Sequence, residues 1–165
     1  MFEALKSLFG ADDETNANGS LFGGPDDVRL ASAALMFHVI NADGVITDDE
    51  RARMKSVLES EFSLSSDEVD QLYQAAQDAD SEAIDLYRFT STLKRQFDHA
   101  ERIKVVENLW EMVFADGELH ELEDHVLWRI AELLEIERND RIALKQRVRE
   151  RHGIESDFER TLNDD

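Results

Sequence analysis

The stretch Ala42-Asp43-Gly44-Val45-Ile46-Thr47-Asp48-Asp49-Glu50 has a second version 73 residues later, Ala115-Asp116-Gly117-Glu118-Leu119-His120-Glu121-Leu122-Glu123. In each, an apolar run ends in Ala-Asp-Gly, an aliphatic residue stands two positions after the glycine, and a Glu stands seven after the Asp. Glycine just past a helix suits the left-handed conformation that closes the last turn, and Thr47-x-x-Glu50 has the spacing of a capping box that opens another helix. The pattern therefore reads as helix, turn, helix, twice. The flanks keep the same offset, pairing Phe37 with Trp110, Val39 with Met112, Met54 with Leu127 and Val57 with Ile130. A one-residue shift then sets Leu64 against Ile136 and Val69 against Ile142. Self-similarity over that length predicts two copies of one supersecondary unit.

Working outward, Asp26 or Asp27 caps a helix to Ala42 whose surface is apolar nearly all round beyond Leu30, the pattern of a helix in the middle of a bundle. A second helix follows Thr47, with Met54, Val57, Leu58 and Phe62 as its stripe. Ser65-Ser66-Asp67-Glu68 repeats the capping signal for a third, carrying Val69, Leu72, Tyr73 and Ala76. Ser81 is read as the cap of a fourth, ending near Phe97, with Ile84, Leu86, Tyr87, Phe89 and Leu93 inward. Asp98-His99-Ala100-Glu101 opens a second central helix through Val105, Leu109, Trp110 and Phe114, and helices over 121–135 and 138–152 complete the second unit. No segment alternates with period two, and the single proline is Pro25. The expected fold is all-α: a compact bundle of about seven helices, made of two pseudo-twofold-related three-helix repeats plus a connecting helix.

Residues 1–25 are read as a short amphipathic segment, with Phe2, Leu5 and Phe9 at helical spacing, and a flexible Gly-, Asn- and Asp-rich linker. The helical domain spans 26–152, with repeat 1 at about 26–78, the connecting helix at about 81–97 and repeat 2 at about 98–152. Residues 153–165 form an acidic tail. A formal charge of −20 repels phosphate backbones, which argues against nucleic-acid binding and favours cations or basic protein surfaces as partners. With no cysteine there is no disulfide, thiolate metal site or cysteine nucleophile. No stretch has the hydropathy of a signal h-region or a membrane span, so a cytoplasmic protein is expected, with membrane contact confined to residues 2–9 or a membrane-bound partner.

The repeated Ala-Asp-Gly-x-aliphatic-x-x-x-Glu pattern resembles the TerB-like family of tellurite-resistance and stress-associated bacterial proteins, over roughly residues 26–150. The resemblance implies a compact helical bundle and an acidic metal site. A similar domain precedes the J-domain in some membrane co-chaperones. Where the family pattern has a Ser/Thr or Pro cap after the aliphatic residue, the second copy has His120, so that half departs from the pattern.

Two accounts of the acidic residues stand side by side. In one, Gly44 and Gly117 end helices, Glu50 completes a capping box, and Asp43 and Asp116 accept from turn amides, with no ligand needed. In the other, the repeat brings Asp43, Glu50, Asp116 and Glu123, with His120 as a further donor, around a hard divalent cation such as Mg²⁺, Ca²⁺ or Mn²⁺. An ordinary EF-hand is excluded, because Val39 and Asn41, or Met112 and Phe114, occupy the early ligand positions. His120 and His125 are five apart and diverge by about 140° on a helix, which does not match zinc-protease spacing. His38 is expected as a satisfied core histidine, and Trp110 and Trp128 as core. Residues 138–152 carry an excess of Arg and Lys, read mainly as complementing the protein's own acidic surface. No nucleophile set or phosphate loop is present. The expected function is a non-enzymatic binding module with protein partners, a homodimer among them. A metal-dependent hydrolase using the same carboxylates, or a scaffold with no ligand, are the alternatives.

Overall fold

The computed structural model describes residues 27–83, 86–115 and 121–153, and every structural statement below concerns these. They form α1 (Val28–Ile40), α2 (Asp48–Phe62), α3 (Ser66–Glu82), α4 (Tyr87–Gln96), α5 (His99–Phe114), α6 (Glu121–Leu133) and α7 (Arg138–Arg151), with no strand among them. Of the segments read from the sequence, 1–25 lies outside the described residues, as does all of the 153–165 tail beyond residue 153.

Local chemistry starts these helices where the sequence places them. The Asp27 carboxylate accepts from the Arg29 and Leu30 amides at the head of α1. Thr47 with Glu50, Ser65 with Glu68 and Asp98 with Glu101 each form a complete capping box, side chain to N3 amide and N3 carboxylate back to the cap amide. α2 and α6 end alike. Ser63 (φ 52°) and Glu135 (φ 61°) adopt the left-handed conformation, and the following buried aliphatics, Leu64 and Ile136, reach back to the Glu59 and Ala131 carbonyls. The two residues stand at the shifted repeat register, so the duplication extends to backbone geometry.

Packing follows the same symmetry. α1 and α5 touch at the centre, α2 crosses onto α5, and α6 reciprocally crosses onto α1. Ala33, Ala34, Leu35 and Val39 of α1, and Val106 and Leu109 of α5, are fully enclosed. Tyr73 of α3 meets Phe37 edge-on at 5.7 Å, while Trp110 stacks on Phe114 within α5 at 5.3 Å. α4 breaks the symmetry, covering α1 and touching α6.

Three expectations change. Ser81 does not cap a fourth helix: α3 continues through it to Glu82, and the Ser81 hydroxyl donates to the Asp78 carbonyl one turn back, a bond open to a serine that sits inside a helix. The connecting helix accordingly starts at Tyr87, with no side-chain cap at Leu86, and Tyr87 itself is exposed. Trp128 is half-buried rather than enclosed, its outer face covered by cationic side chains.

Candidate functional site

The first Asp-Gly turn is resolved in full. After Ile40 the chain closes with Asn41 N–H to Phe37 O and Gly44 N–H to Asn41 O, both at 3.0 Å. Gly44 has φ +82°, which an L side chain adopts only with strain. Asp43 Oδ1 then accepts from the Val45 amide at 3.0 Å, an Asx turn. Glu50 Oε1 accepts from Thr47 N–H at 3.2 Å, while Thr47 Oγ1 accepts from Glu50 N–H at 3.1 Å. Both acidic residues therefore have local backbone partners, as the capping account requires.

The surface around this turn is exposed from Asp43 to Asp49 except at half-buried Ile46, and Val45 at its tip is 63% exposed. The exposed apolar Val45 thus stands in a stretch of chain that also carries Asp43, Asp48, Asp49 and Glu50. Behind it, Arg51 donates to the Tyr73 hydroxyl at 3.3 Å and to Asp48 at 3.1 Å. The phenol, and then the carboxylate, raise the guanidinium pKa above its ordinary value.

Of the second copy, Glu123 is described and Asp116 and His120 lie outside the described residues. Glu123 sits near the head of α6, only 6% exposed and engaged in a polar interaction. Among the described residues no three carboxylate or imidazole side chains gather as metal ligands, so Asp43, Glu50 and Glu123 do not by themselves make such a group.

The basic helix turns its charge inward. Lys145 donates to Asp124 at 2.8 Å, Arg147 lies 3.7 Å from Glu107, Arg151 pairs with Glu107 at 3.0 Å and also with Glu111, and His152 Nε2 lies 2.6 Å from Glu111. Arg141 lies over Trp128 at 5.5 Å, Lys145 over Trp110 at 5.2 Å, and Arg149 over Phe114 at 5.7 Å. Cations stacked on aromatic faces add to the little apolar burial that Leu144 and Val148 give α7.

His38 is satisfied, although not in the core. Its side chain is 40% exposed, and Nδ1 lies 2.8 Å from Asp80 Oδ1. The pair borders a cavity of about 470 Å³ that Tyr87, Arg129 and Leu133 also line. Sequence reasoning missed Asp80 because 42 residues separate the partners.

The family model of the tellurite resistance protein TerB matches residues 29–146. The chain belongs to the TerB family. No curated protein and no solved structure matches it. The TerB match opens one residue inside α1 and closes within α7, so it takes in the Asp-Gly turn, most of both repeats and the first part of the basic helix, up to residue 146. Among the described residues of this TerB domain no helix is long and apolar enough to cross a membrane.

Proposed function

We propose that this TerB-family domain is a non-enzymatic binding module that works through protein contacts in a cytoplasmic stress-response assembly of the tellurite-resistance type, or beside a membrane-bound partner. One observation carries the reading: Val45, an apolar side chain 63% exposed, stands in a turn held by local hydrogen bonds, on a stretch of chain rich in carboxylates, Asp43, Asp48, Asp49 and Glu50. Such a turn suits a partner surface with an apolar recess bordered by Lys or Arg, because charge complementarity speeds encounter while the apolar contact slows release. The charge of −20 argues against nucleic acid as the partner.

The test is a photo-activatable cross-linker placed at Val45 in cells, with the same group at exposed Ile142 on α7 as reference. One discrete heterologous adduct is expected from position 45, abolished by Asp48→Lys/Asp49→Lys. Adducts equal in pattern from both positions, or none from position 45, overturn the proposal.

A second reading has Asp43, Glu50, Asp116 and Glu123, with His120, hold Mg²⁺, Ca²⁺ or Mn²⁺. It is favoured by the repeat register, which gives both turns the same acidic pair. A cation at about 100 times its Kd stabilises by about 2.7 kcal/mol, so melting curves in EDTA and in each cation decide it. Identical curves remove the cation from the proposal and leave the protein contact standing.

A further inference from the structure

The His38–Asp80 pair has a counterpart in the second repeat. Glu111 stands 73 residues after His38, and His152 answers to Asp80 in the register that sets buried Leu72 against Leu144 and Ala76 against Val148. Their side chains meet at 2.6 Å. Acid and base have changed places, yet each pair ties the central helix of its repeat to the third. The duplication therefore accounts for the pair as a structural tie. It does not account for the cavity of about 470 Å³ beside His38. Leu86 and Tyr87 reach that cavity with α4, which lies outside the duplication, and Arg129 of α6 answers to Ser56 of α2, a position with no charge.

Two polar groups in the cavity are open to a ligand. A carboxylate only accepts, so the 2.8 Å bond to Asp80 places the ring hydrogen on His38 Nδ1 and leaves Nε2 of the neutral ring as an acceptor. Nε2 has no partner among the described residues, and it is not enclosed. Arg129 has a side chain 59% exposed, and Nη1 stops 3.8 Å from Glu132, beyond hydrogen-bond length. Leu86, Tyr87 and Leu133 add apolar and aromatic wall.

We propose that this cavity binds a small aromatic carboxylate carrying a hydroxyl or N–H group. The carboxylate pairs with Arg129, the hydroxyl or N–H donates to His38 Nε2, and the ring lies against Leu86, Tyr87 and Leu133. Size fits one ring with two short arms: benzene occupies a cavity of about 150 Å³, and small-molecule pockets begin at about 300 Å³. Charge selects a monoanion, because one guanidinium stands near Asp80 and Glu132 in a chain of −20. Inorganic phosphate would leave the apolar wall and the Nε2 lone pair unused. A metal ion on Nε2 would meet the charge of Arg129, and among the described residues no second and third ligand gather there.

The test uses the full chain labelled with ¹⁵N and three probes: 4-hydroxyphenylacetate, phenylacetate, which lacks the hydroxyl, and tyramine, which replaces the carboxylate with an ammonium. 4-Hydroxyphenylacetate is expected to bind with a Kd of about 1 mM or tighter and to move the His38 ring-nitrogen signals, while those of the other four histidines stay in place. Phenylacetate should bind about three- to tenfold more weakly, the loss of one neutral hydrogen bond, and tyramine should not bind. Arg129→Gln, at an exposed position, should weaken 4-hydroxyphenylacetate about tenfold or more with an unchanged melting temperature. Still signals at His38 up to about 10 mM probe, ten times the expected Kd, would overturn the proposal. So would equal affinity for phenylacetate, or binding that survives Arg129→Gln. The cavity shares no residue with the Val45 turn, so the failure of either proposal leaves the other standing.

Discussion

The three capping boxes give an internal control for what Glu50 does. Glu50, Glu68 and Glu101 make the same pair of bonds at the heads of α2, α3 and α5, with carboxylate-to-amide distances of 3.2, 3.0 and 3.0 Å. Only Glu50 follows an Asp-Gly turn. Replacement by Ala removes the bond to the cap amide, worth about 0.5–1.5 kcal/mol, together with part of a favourable interaction with the helix dipole of about 0.3–1 kcal/mol. In α2 the dipole share is small, because Asp48 and Asp49 occupy the same turn. Glu50→Ala is therefore expected to cost about 1 kcal/mol, a drop in Tm of roughly 3–5 °C for a domain of this size. Glu50→Gln keeps an acceptor for the Thr47 amide, as capping boxes with Gln do, and should cost no more than about 0.5 kcal/mol. The same Ala-to-Gln ratio is expected at positions 68 and 101. Thermal melts of the six variants, in EDTA throughout, make the comparison. Should Gln at 50 cost as much as Ala while Gln at 68 and 101 costs little, the negative charge of Glu50 is itself in use and the capping account is refuted.

Ser63→Gly should raise stability by about 0.5–1 kcal/mol, because a left-handed L-residue costs about 1–2 kcal/mol and glycine returns part of that as unfolded-chain entropy; chemical denaturation measures it. Glu135→Gly should gain less, since Glu135 also approaches Lys94 at 3.3 Å and Arg102 at 4.0 Å, exposed pairs worth about 0–1 kcal/mol together with their entropy cost. Leu109→Ala, at a fully enclosed position of α5, should cost about 2–5 kcal/mol in the same assay; a loss below 1 kcal/mol would mean that the two central helices are not packed as described. Raising salt from 0.1 to 1 M shortens the screening length from about 10 to 3 Å, so amide exchange in α7 should accelerate relative to α5, and unchanged protection would refute the electrostatic attachment of that helix.

The helices were legible because their determinants are local. Capping boxes at Thr47, Ser65 and Asp98 need only three-residue spacing, and the constant offset between Ala42-Asp43-Gly44 and Ala115-Asp116-Gly117 needs only the chain itself. Apolar periodicity then identified α1 and α5 as central, because a helix without a polar face has to be covered on all sides. Ser81 shows the limit of this kind of reading. A serine hydroxyl can bond to an amide ahead of it or, inside a helix, to a carbonyl behind it, and because α3 runs on through Ser81 the second bond is the one made.

Sequence by itself determined the all-α duplication and the local roles open to Asp43 and Glu50. Tertiary structure decided which charges meet. Lys145 with Asp124, Arg151 with Glu107 and Glu111, and His38 with Asp80 are separated by 21 to 44 residues, and no periodicity encodes a pairing between helices. It also decided that Ser32, one more small residue on an apolar helix, is left with its hydroxyl unpaired at the junction of the repeats. Hydrogen-bond satisfaction depends on what the neighbouring helices bring within about 3 Å, and that is settled only when the helices pack.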